Sequence, residues 1–204
     1  MRKVFVLLLI VCASAFAASA QGDGREAALR AMVESERAFS RASVERGISA
    51  AFVAYSADDG VIFRDTPLNS KKFWTERGTV PGLLTWQPAY ADMARAGDLG
   101  YTFGPWEFRP KTADEKPTGQ GHFVTVWRRQ PDGSWKFAAD IGISNPPPSN
   151  VPALQLAETR GGKPDAKPDA EAERARLLKL ESDFSADSLA RGAATAYGPR
   201  LAPD

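Results

Sequence analysis

Three titratable side chains stand among apolar neighbours in the sequence pattern. Glu36 lies on the apolar stripe of a predicted helix, and His122 and Asp140 lie on predicted strands. A carboxyl group held away from water has a raised pKa unless it is paired, and a raised pKa suits general acid–base catalysis. Histidine exchanges protons near neutral pH without such help. We therefore take Asp140, Glu36 and His122 as the candidate catalytic residues.

Each of these candidates also has a structural explanation. Glu36 on a buried helix face would be held by an ion pair with Arg64 or by the N–H group of a tryptophan. Asp140 would be a strand-end residue that solvent satisfies, and a lone strand histidine such as His122 would be a packed side chain. The sequence leaves both sets of explanations open.

Metal and thiol chemistry have few residues to work with. His122 is the only histidine and Cys12 the only cysteine, and Cys12 lies in a segment that we expect to be removed. Zinc sites are built mostly from cysteine and histidine, so we expect no metal and no other cofactor.

Removal of Arg2 and Lys3 from the 26 basic residues leaves 24 against 25 acidic ones. A balance so close to neutral gives no reason to expect nucleic acid as a partner.

The first 20 residues have the pattern of a secretory signal peptide. A basic start precedes an apolar run from Val4 to Ala18, and Ala18-Ser19-Ala20 is a small-x-small cleavage site. A membrane anchor would need about 20 apolar residues, more than this run contains. We predict cleavage after Ala20, export to the periplasm or out of the cell, and no integral membrane association of the mature chain.

The candidate residues have to be positioned by a series of helices and strands. The predicted helices are 26–46, 49–56 and 71–77, and the predicted strands are 61–64, 83–94, 99–108 and the two that flank a turn at 131–134. Apolar residues at helical spacing define the first helix, and Gly47 ends it. This order predicts an α+β fold in which helices pack on one face of a curved antiparallel sheet.

The hairpin from Gly121 to Ile143 is the clearest local signal. Two alternating runs flank Pro131-Asp132-Gly133-Ser134, and the expected register sets Val126 beside Phe137 and Thr125 beside Ala138. One face then consists of His122, Val124, Val126, Trp135, Phe137, Ala139 and Ile141, and the other of Phe123, Thr125, Trp127, Lys136, Ala138 and Asp140. The second face mixes aromatic and polar groups as a small-molecule pocket requires, so we expect it to face inward. The opposite arrangement would pack the domain shut.

After Ser144 the composition changes and then a helical pattern returns. Residues 145–169 are rich in Pro, Gly, Lys and Asp and predict a semi-extended linker. The pattern from Ala170 repeats the first helix at an offset of 145 residues. The identical pairs are Glu36/Glu181, Phe39/Phe184, Ser40/Ser185, Ser43/Ser188, Arg46/Arg191, Gly47/Gly192 and Ala51/Ala196.

We infer a duplicated domain from this repeat. The predicted boundaries are a signal peptide at 1–20, a domain at 21–144, the linker at 145–169, and the start of a second, incomplete copy at 170–204. Because this copy would reach Asp204 before any strand, we expect a longer two-domain parent. A helix docked on the first domain and a loosely held tail are the alternatives.

Five short motifs follow one another along residues 26–144. They are Glu36-x-x-Phe39, Tyr55-Ser-Ala-Asp-Asp59, Val61-Ile-Phe-Arg64, Gly97-Asp-Leu-Gly-Tyr101 through Trp106, and Val126-Trp-Arg-Arg with Asp132-Gly-Ser-Trp-Lys-Phe137. Their order and spacing resemble the nuclear-transport-factor-2-like superfamily, and more narrowly the SnoaL-like group called domain of unknown function 4440. The resemblance implies a cone-shaped α+β fold that encloses a pocket and commonly forms a homodimer through its sheet. The superfamily includes isomerases, cyclases, dehydratases and many non-catalytic members.

The same resemblance bears on the site residues. In ketosteroid-isomerase relatives the general base follows the Ala-Asp-Asp turn, and that position is Arg64 here, while the acid on the oxyanion side falls at Thr125. A guanidinium binds a carboxylate or another anion but is no base, and threonine is a poor acid at neutral pH.

These two departures favour a non-catalytic module that binds a small, partly apolar molecule or dimerises. The alternative is a cofactor-free acid–base enzyme of the isomerase, dehydratase or cyclase type. The candidate ligand-binding residues are Tyr55, Arg64, Tyr101, Phe123, Thr125 and Trp127.

Overall fold

A computed structural model describes residues 2–146, 153–158 and 169–201, with side chains from residue 24 onward. The chain divides into two compact units, Met1–Thr159 and Arg160–Asp204. The helices of the first unit are Arg2–Arg46 (α1), Ile48–Tyr55 (α2) and Ser70–Arg77 (α3). Its strands are Ser56–Phe63 (β1), Pro67–Asn69 (β2), Leu83–Trp86 (β3), Tyr90–Met93 (β4), Leu99–Arg109 (β5), Gly119–Arg129 (β6), Trp135–Ser144 (β7) and Gln155–Leu156 (β8). Within the described residues, no helix is both long and apolar enough to cross a membrane.

Helix α1 supplies one wall of the core. It begins at Arg2 rather than at residue 26, because the preceding run is rich in helix-forming Leu and Ala and contains no proline. Its core-facing side chains are Leu29, Met32, Val33, Phe39 and Ala42, all buried. Gly47 then adopts a φ of 89°, which a residue with a side chain rarely does, and so separates α1 from α2.

The sheet of the first unit is mixed but mostly antiparallel. Its strand order is β2-β1-β7-β6-β5-β4-β8, and β3 also pairs with β5. The neighbours from β7 to β4 are antiparallel, whereas β1 runs parallel to β7 and β8 parallel to β4. The predicted α+β class, with helices packed on a curved sheet, is confirmed.

The strand predicted at 83–94 is in fact two strands. Both β3 and β4 pair with β5, and the chain leaves the ladder at Pro88 between them. Proline has no N–H to donate, so it interrupts a strand. The flanking amides of Gln87 and Ala89 still donate to the carbonyls of Pro105 and Phe103. The break turns the direction of the strand while its edge stays attached to β5.

The hairpin of β6 and β7 has the predicted turn but a different register. Trp127 pairs with Phe137, yet the next residue, Val126, pairs with Ala139, so Ala138 is an extra residue on β7. Both predicted pairings are therefore wrong, since Val126 pairs with Ala139 rather than with Phe137, and Thr125 pairs with Asp140 rather than with Ala138. Trp135 and Phe137, which were predicted on the face opposite to Trp127, are buried with it. Such a bulge reverses which side chains of a strand point inward. The inward-facing residues of β7 are Trp135 and Phe137 before the bulge and Asp140 and Gly142 after it.

Aromatic rings from the helices and the sheet meet at Phe39. This fully buried ring has its centroid 4.8 Å from Phe52, 4.7 Å from Trp86 and 5.5 Å from Phe137. Edge-on and offset pairs of this kind are favourable beyond the area that they bury. Helices α1 and α2 are thus fixed on the inner face of β3 and β7.

The segment predicted as a linker contributes a short strand. The amide of Gln155 donates to Ala89 O and that of Ala157 to Ala91 O, each at 2.9 Å, and β8 so extends the sheet beyond β4. Residues 147–152 and 159–168 of the predicted linker lie outside the described residues.

The second unit consists of helices Ala170–Arg191 (α4) and Ala193–Tyr197 (α5) and a 3₁₀ turn at Gly198–Arg200. Gly192 separates α4 from α5 with a φ of 85°, as Gly47 does in the first unit. The rings of Phe184 and Tyr197 lie edge to face at 4.7 Å, and Ala196 is fully buried. These are the features that a duplicated helix pair predicts. The duplication itself stays a prediction.

The outer face of the first unit's sheet carries exposed apolar side chains. They are Leu99, Tyr101, Phe103, Ile141 and Ile143. The homodimer through the sheet would use this face, and it stays a prediction.

Candidate functional site

A cavity of about 190 Å³, the inner cavity, lies between the helices and the inner face of the sheet in the first unit. Its walls are mostly aromatic and aliphatic, and among the described residues the charged side chains that line it are Arg64 and Asp140. The lining residues are Phe39, Phe52, Ile62, Arg64, Trp74, Leu84, Trp86, Trp106, Phe123, Asp140 and Gly142. An apolar enclosure with a few polar groups is the usual form of a small-molecule site.

Asp140 reaches the inner cavity because of the bulge at Ala138. It pairs with Thr125 on β6 and with Ile62 on β1, so it lies in the middle of three strands. Thr125 Oγ1 donates to Asp140 Oδ1 at 2.8 Å and orients the carboxyl group. The side chain is half-buried, and its accessible part faces the cavity rather than bulk water.

This environment raises the pKa of Asp140 to about 7. Burial is the largest cause, since an ionised carboxylate loses water there. The hydrogen bond from Thr125 acts in the opposite direction, the negative charge of Glu36 raises the pKa further, and the positive charge of Arg64 lowers it. Both protonation states are therefore populated near neutral pH.

Glu36 is fully buried behind the wall of the cavity. Trp86 Nε1 donates to its Oε1 at 2.5 Å, and Trp127 Nε1 donates to its Oε2 at 2.7 Å. Thr102 Oγ1 also donates to Oε2. Burial raises the pKa of Glu36, although these hydrogen bonds act to lower it. Both carboxyl oxygens are occupied, so Glu36 joins α1 to three strands rather than reaching a ligand.

Arg64 lies at the rim of the cavity, just after β1. Its Cζ is 5.5 Å from the ring centroid of Phe73 and 5.9 Å from that of Trp74, both on α3. Stacking on aromatic faces holds a guanidinium in place while leaving its N–H groups available.

The structure separates the remaining candidates into two groups. Phe123 lines the cavity, while Thr125 and Trp127 are fully buried behind it and Tyr55 stacks on Phe39 at 5.1 Å. His122 and Tyr101 lie on the outer face of the sheet, away from Asp140.

The placement of His122 follows from the alternation of β6. Its ring stacks on Phe103 with centroids 5.2 Å apart, and its Nδ1 lies within hydrogen-bond distance of the Asn145 amide group. A histidine one residue before the inward-facing Phe123 must point to the opposite face. Its proton therefore has no path to the inner cavity.

Sequence reasoning missed the tryptophans of the wall. Trp74, Trp86 and Trp106 line the inner cavity, and none of them is among the candidate site residues of the sequence analysis. Trp86 and Trp106 are cross-strand partners between β3 and β5. The sequence could have predicted that pairing only if the break at Pro88 had been predicted first. A continuous strand over 83–94 would pair with β5 in a different register.

No arrangement of three or more His, Cys, Asp or Glu side chains suited to a metal ion occurs within the described ranges.

Comparison with known proteins gives matches to solved structures only. A ketosteroid isomerase-like protein from Erwinia carotovora atroseptica SCRI1043 is 17% identical over 58% of this chain and 97% of its own, with a TM-score of 0.45. A protein of unknown function from Mycobacterium tuberculosis is 15% identical, and the match covers 55% of this chain and 76% of that protein, with a TM-score of 0.46. A conserved protein from Planctomyces limnophilus DSM 3776 is 16% identical, and the match covers 56% of this chain and 95% of that protein, with a TM-score of 0.44.

No family model and no curated protein matches the chain. The narrower SnoaL-like group stays a prediction.

Proposed function

We propose that the first unit binds a small, largely apolar molecule in the inner cavity and that Asp140 removes a proton from it as a general base. One observation carries this proposal: a half-buried carboxyl group with a pKa of about 7 lies on the wall of an aromatic cavity. A base works best when its pKa is near the working pH, because it is then both available and strong enough.

The neighbours of Asp140 support this role. Thr125 fixes the carboxyl group from the adjacent strand, and the largely aromatic lining of the cavity leaves it few polar neighbours. The resemblance to the isomerases puts their base at Arg64, two residues beyond Ile62, and Ile62 pairs with Asp140. We infer that the carboxylate comes from the neighbouring strand instead, and that the guanidinium has taken the usual position of the base.

The proposal predicts proton exchange with a simple ketone. In D₂O, Asp140 would remove an α-proton of 2-tetralone, the C–H electron pair would pass into an enolate, and a deuteron from the solvent would return to the carbon. We expect the protein to accelerate this exchange, followed by proton NMR, and the rate to rise with pH and level off above about 7. Asp140→Asn should lower the catalysed rate by about 100-fold or more. Asp65→Asn, the same change at an exposed position, should leave it unchanged.

Two variants that fill the cavity provide a second control. A Cβ at Gly142 would stand 3.5 Å from Trp106 Nε1, an ordinary contact, so Gly142→Val adds bulk without backbone strain. Leu84→Trp adds bulk from the opposite wall. Both should abolish the binding of 2-tetralone. Full exchange by either filled variant, or by Asp140→Asn, would refute Asp140 as the base in this cavity.

Non-catalytic binding is the second candidate function. It is favoured by the isolation of Asp140: the second carboxyl group, Glu36, has both oxygens occupied, and Arg64 is the only other charged side chain of the inner cavity. If Asp140 removed a proton from one atom of the ligand, the cavity would have no second acid to donate a proton to another atom of the ligand. Saturable binding of 2-tetralone without faster exchange would decide for this candidate.

We also propose that the chain is exported with cleavage after Ala20. The basic start, the apolar run from Val4 to Ala18 and the small-x-small site at Ala18-Ser19-Ala20 support this proposal. When the chain is expressed with its own leader in a Gram-negative host, we expect the protein from the periplasm to begin at Gln21 by N-terminal sequencing. Retention in the cytoplasm with the leader intact would contradict this.

A further inference from the structure

The inner cavity continues into an outer one. A second cavity of about 370 Å³, the outer cavity, shares Arg64, Trp74, Leu84 and Trp106 with it. Its further lining residues include Arg77 and Phe108. Two guanidinium groups therefore line the outer cavity, and that of Arg64 lines the inner cavity as well.

The two guanidinium groups share one aromatic support. The Cζ atoms of Arg64 and Arg77 lie 5.5 and 5.6 Å from the ring centroid of Phe73. Within the part of the chain that the structure describes, neither has a carboxylate within salt-bridge distance, and the one side-chain hydrogen bond of Arg64 goes to Phe63 O. Arg25 and Arg109, by contrast, are paired with Asp92 and Glu107.

Unpaired arginines beside an apolar cavity are complementary to an anion. Guanidinium groups present parallel N–H donors that match a carboxylate, and hydrogen bonds to a charged acceptor are stronger than neutral ones. Stacking on Phe73 fixes the position of both groups before any ligand arrives, so less side-chain entropy is lost on binding.

We propose that the ligand is an aromatic or alicyclic carboxylic acid, with its ring system in the inner cavity and its carboxylate on Arg64. Arg77 adds positive charge at the same rim. This inference rests on the proposed function for the claim that the inner cavity is the binding site, and it adds the chemical class of the molecule.

The charge of Asp140 makes the binding depend on pH. The charged or titratable groups that face Asp140 are Glu36 from α1 and Arg64 beyond the end of β1. When Asp140 carries its proton, the positive charge of Arg64 is available to the ligand. When Asp140 ionises above about pH 7, its negative charge opposes the ligand carboxylate. Affinity for an anion should therefore fall as the pH rises through this value, whereas affinity for a neutral molecule of the same shape should not.

The test compares 2-naphthoate with 2-naphthamide, which have the same ring system and differ in charge. Binding of each to the full chain is measured by titration calorimetry at pH 6 and pH 8. We expect Arg64→Gln to weaken 2-naphthoate at pH 6 by about tenfold or more and to change 2-naphthamide less than about twofold. Arg77→Gln should have a smaller effect of the same kind, and Arg30→Gln, on the exposed face of α1, should have none. Asp140→Asn should remove the difference between pH 6 and pH 8.

Four outcomes would overturn the inference. If Arg64→Gln weakens both molecules equally, Arg64 is a wall of the cavity and does not recognise charge. If 2-naphthyl phosphate binds much more tightly than 2-naphthoate, the ligand class is a phosphate ester. If 2-naphthamide binds as tightly as 2-naphthoate at pH 6 and Gly142→Val abolishes both, the cavity binds neutral molecules and only the proposed function survives. If Gly142→Val changes neither, the proposed function fails as well.

Discussion

Replacing Glu36 with alanine should lower the free energy of unfolding of the first unit by about 3–5 kcal/mol. The change removes a fully buried side chain and the acceptor that Trp86, Trp127 and Thr102 share. The indole N–H of Trp86 is left without an acceptor, and the other two donors keep only long contacts, from Trp127 Nε1 to Thr102 Oγ1 at 3.3 Å and from Thr102 Oγ1 to Thr125 O at 3.5 Å. A cavity and unsatisfied buried donors are each costly, and here they coincide. All five tryptophans lie in the first unit, so tryptophan fluorescence during urea denaturation reports on this unit alone.

The matched control for this prediction is two residues earlier on the same helix. Glu34 is exposed and forms only surface ion pairs with Arg37 and Arg41, so Glu34→Ala should cost less than about 0.5 kcal/mol. Glu36→Gln keeps the volume but turns an amide N–H group toward an indole N–H, and we expect an intermediate loss. Equal midpoints for Glu36→Ala and Glu34→Ala would mean that the buried network contributes nothing.

Replacing Asp140 with asparagine should make the protein more stable at pH 8. The pKa of Asp140 is about 7 in the folded chain against an ordinary value of 3.8, so between these values the folded state holds more protons than the unfolded state. Stability is therefore full below about pH 4 and is lost as the pH rises toward 7. Asparagine keeps the acceptor for Thr125 and carries no charge. With allowance for the water that reaches the cavity, we expect a gain on the order of 2–4 kcal/mol at pH 8.

The pH dependence is what separates this prediction from a general packing effect. The difference between Asp140→Asn and the unsubstituted chain should shrink toward zero at pH 4, measured by urea denaturation across pH 4–8. A weaker slope should remain in the variant, because burial also raises the pKa of Glu36. Asp65→Asn should follow the unsubstituted chain throughout. A variant that is no more stable at pH 8 would show that Asp140 has an ordinary pKa. If Asp140→Asn is more stable at pH 8, the chain contains Asp140 although this residue lowers the free energy of unfolding, and such a loss of stability is common at functional sites.

Local patterns in the sequence predicted most of the fold. The stop at Gly47 and the turn with Gly133 at a φ of 84° each depend on a few adjacent residues. What local patterns could not predict was the number of residues between paired positions. The bulge at Ala138 and the break at Pro88 depend on how distant strands pack, so neither has a complete local signal.

The same limit applies to the candidate site. Alternation along β6 was enough to bring Phe123, Thr125 and Trp127 to the inner face. Asp140 was correctly predicted to share this face because two errors of register cancel. Phe137 pairs with Trp127 rather than with Val126, which shifts the register by one residue, and the extra residue Ala138 shifts it by one more. The aromatic wall depends on contacts between α3, β3 and β5, which are far apart in the chain.

The bulge at Ala138 also bears on how this chain should be compared with its relatives. A protein whose last long strand lacks the extra residue will align with β7 only if a one-residue gap is opened at Ala138. Without that gap, an inward position of the relative is matched to Ala139 or Ile141, and Asp140 is compared with a residue on the outside. Whether a relative has a carboxylate equivalent to Asp140 is therefore best judged from superposed backbones. The positions paired with Asp140 on the neighbouring strands, Ile62 and Thr125, serve as reference points.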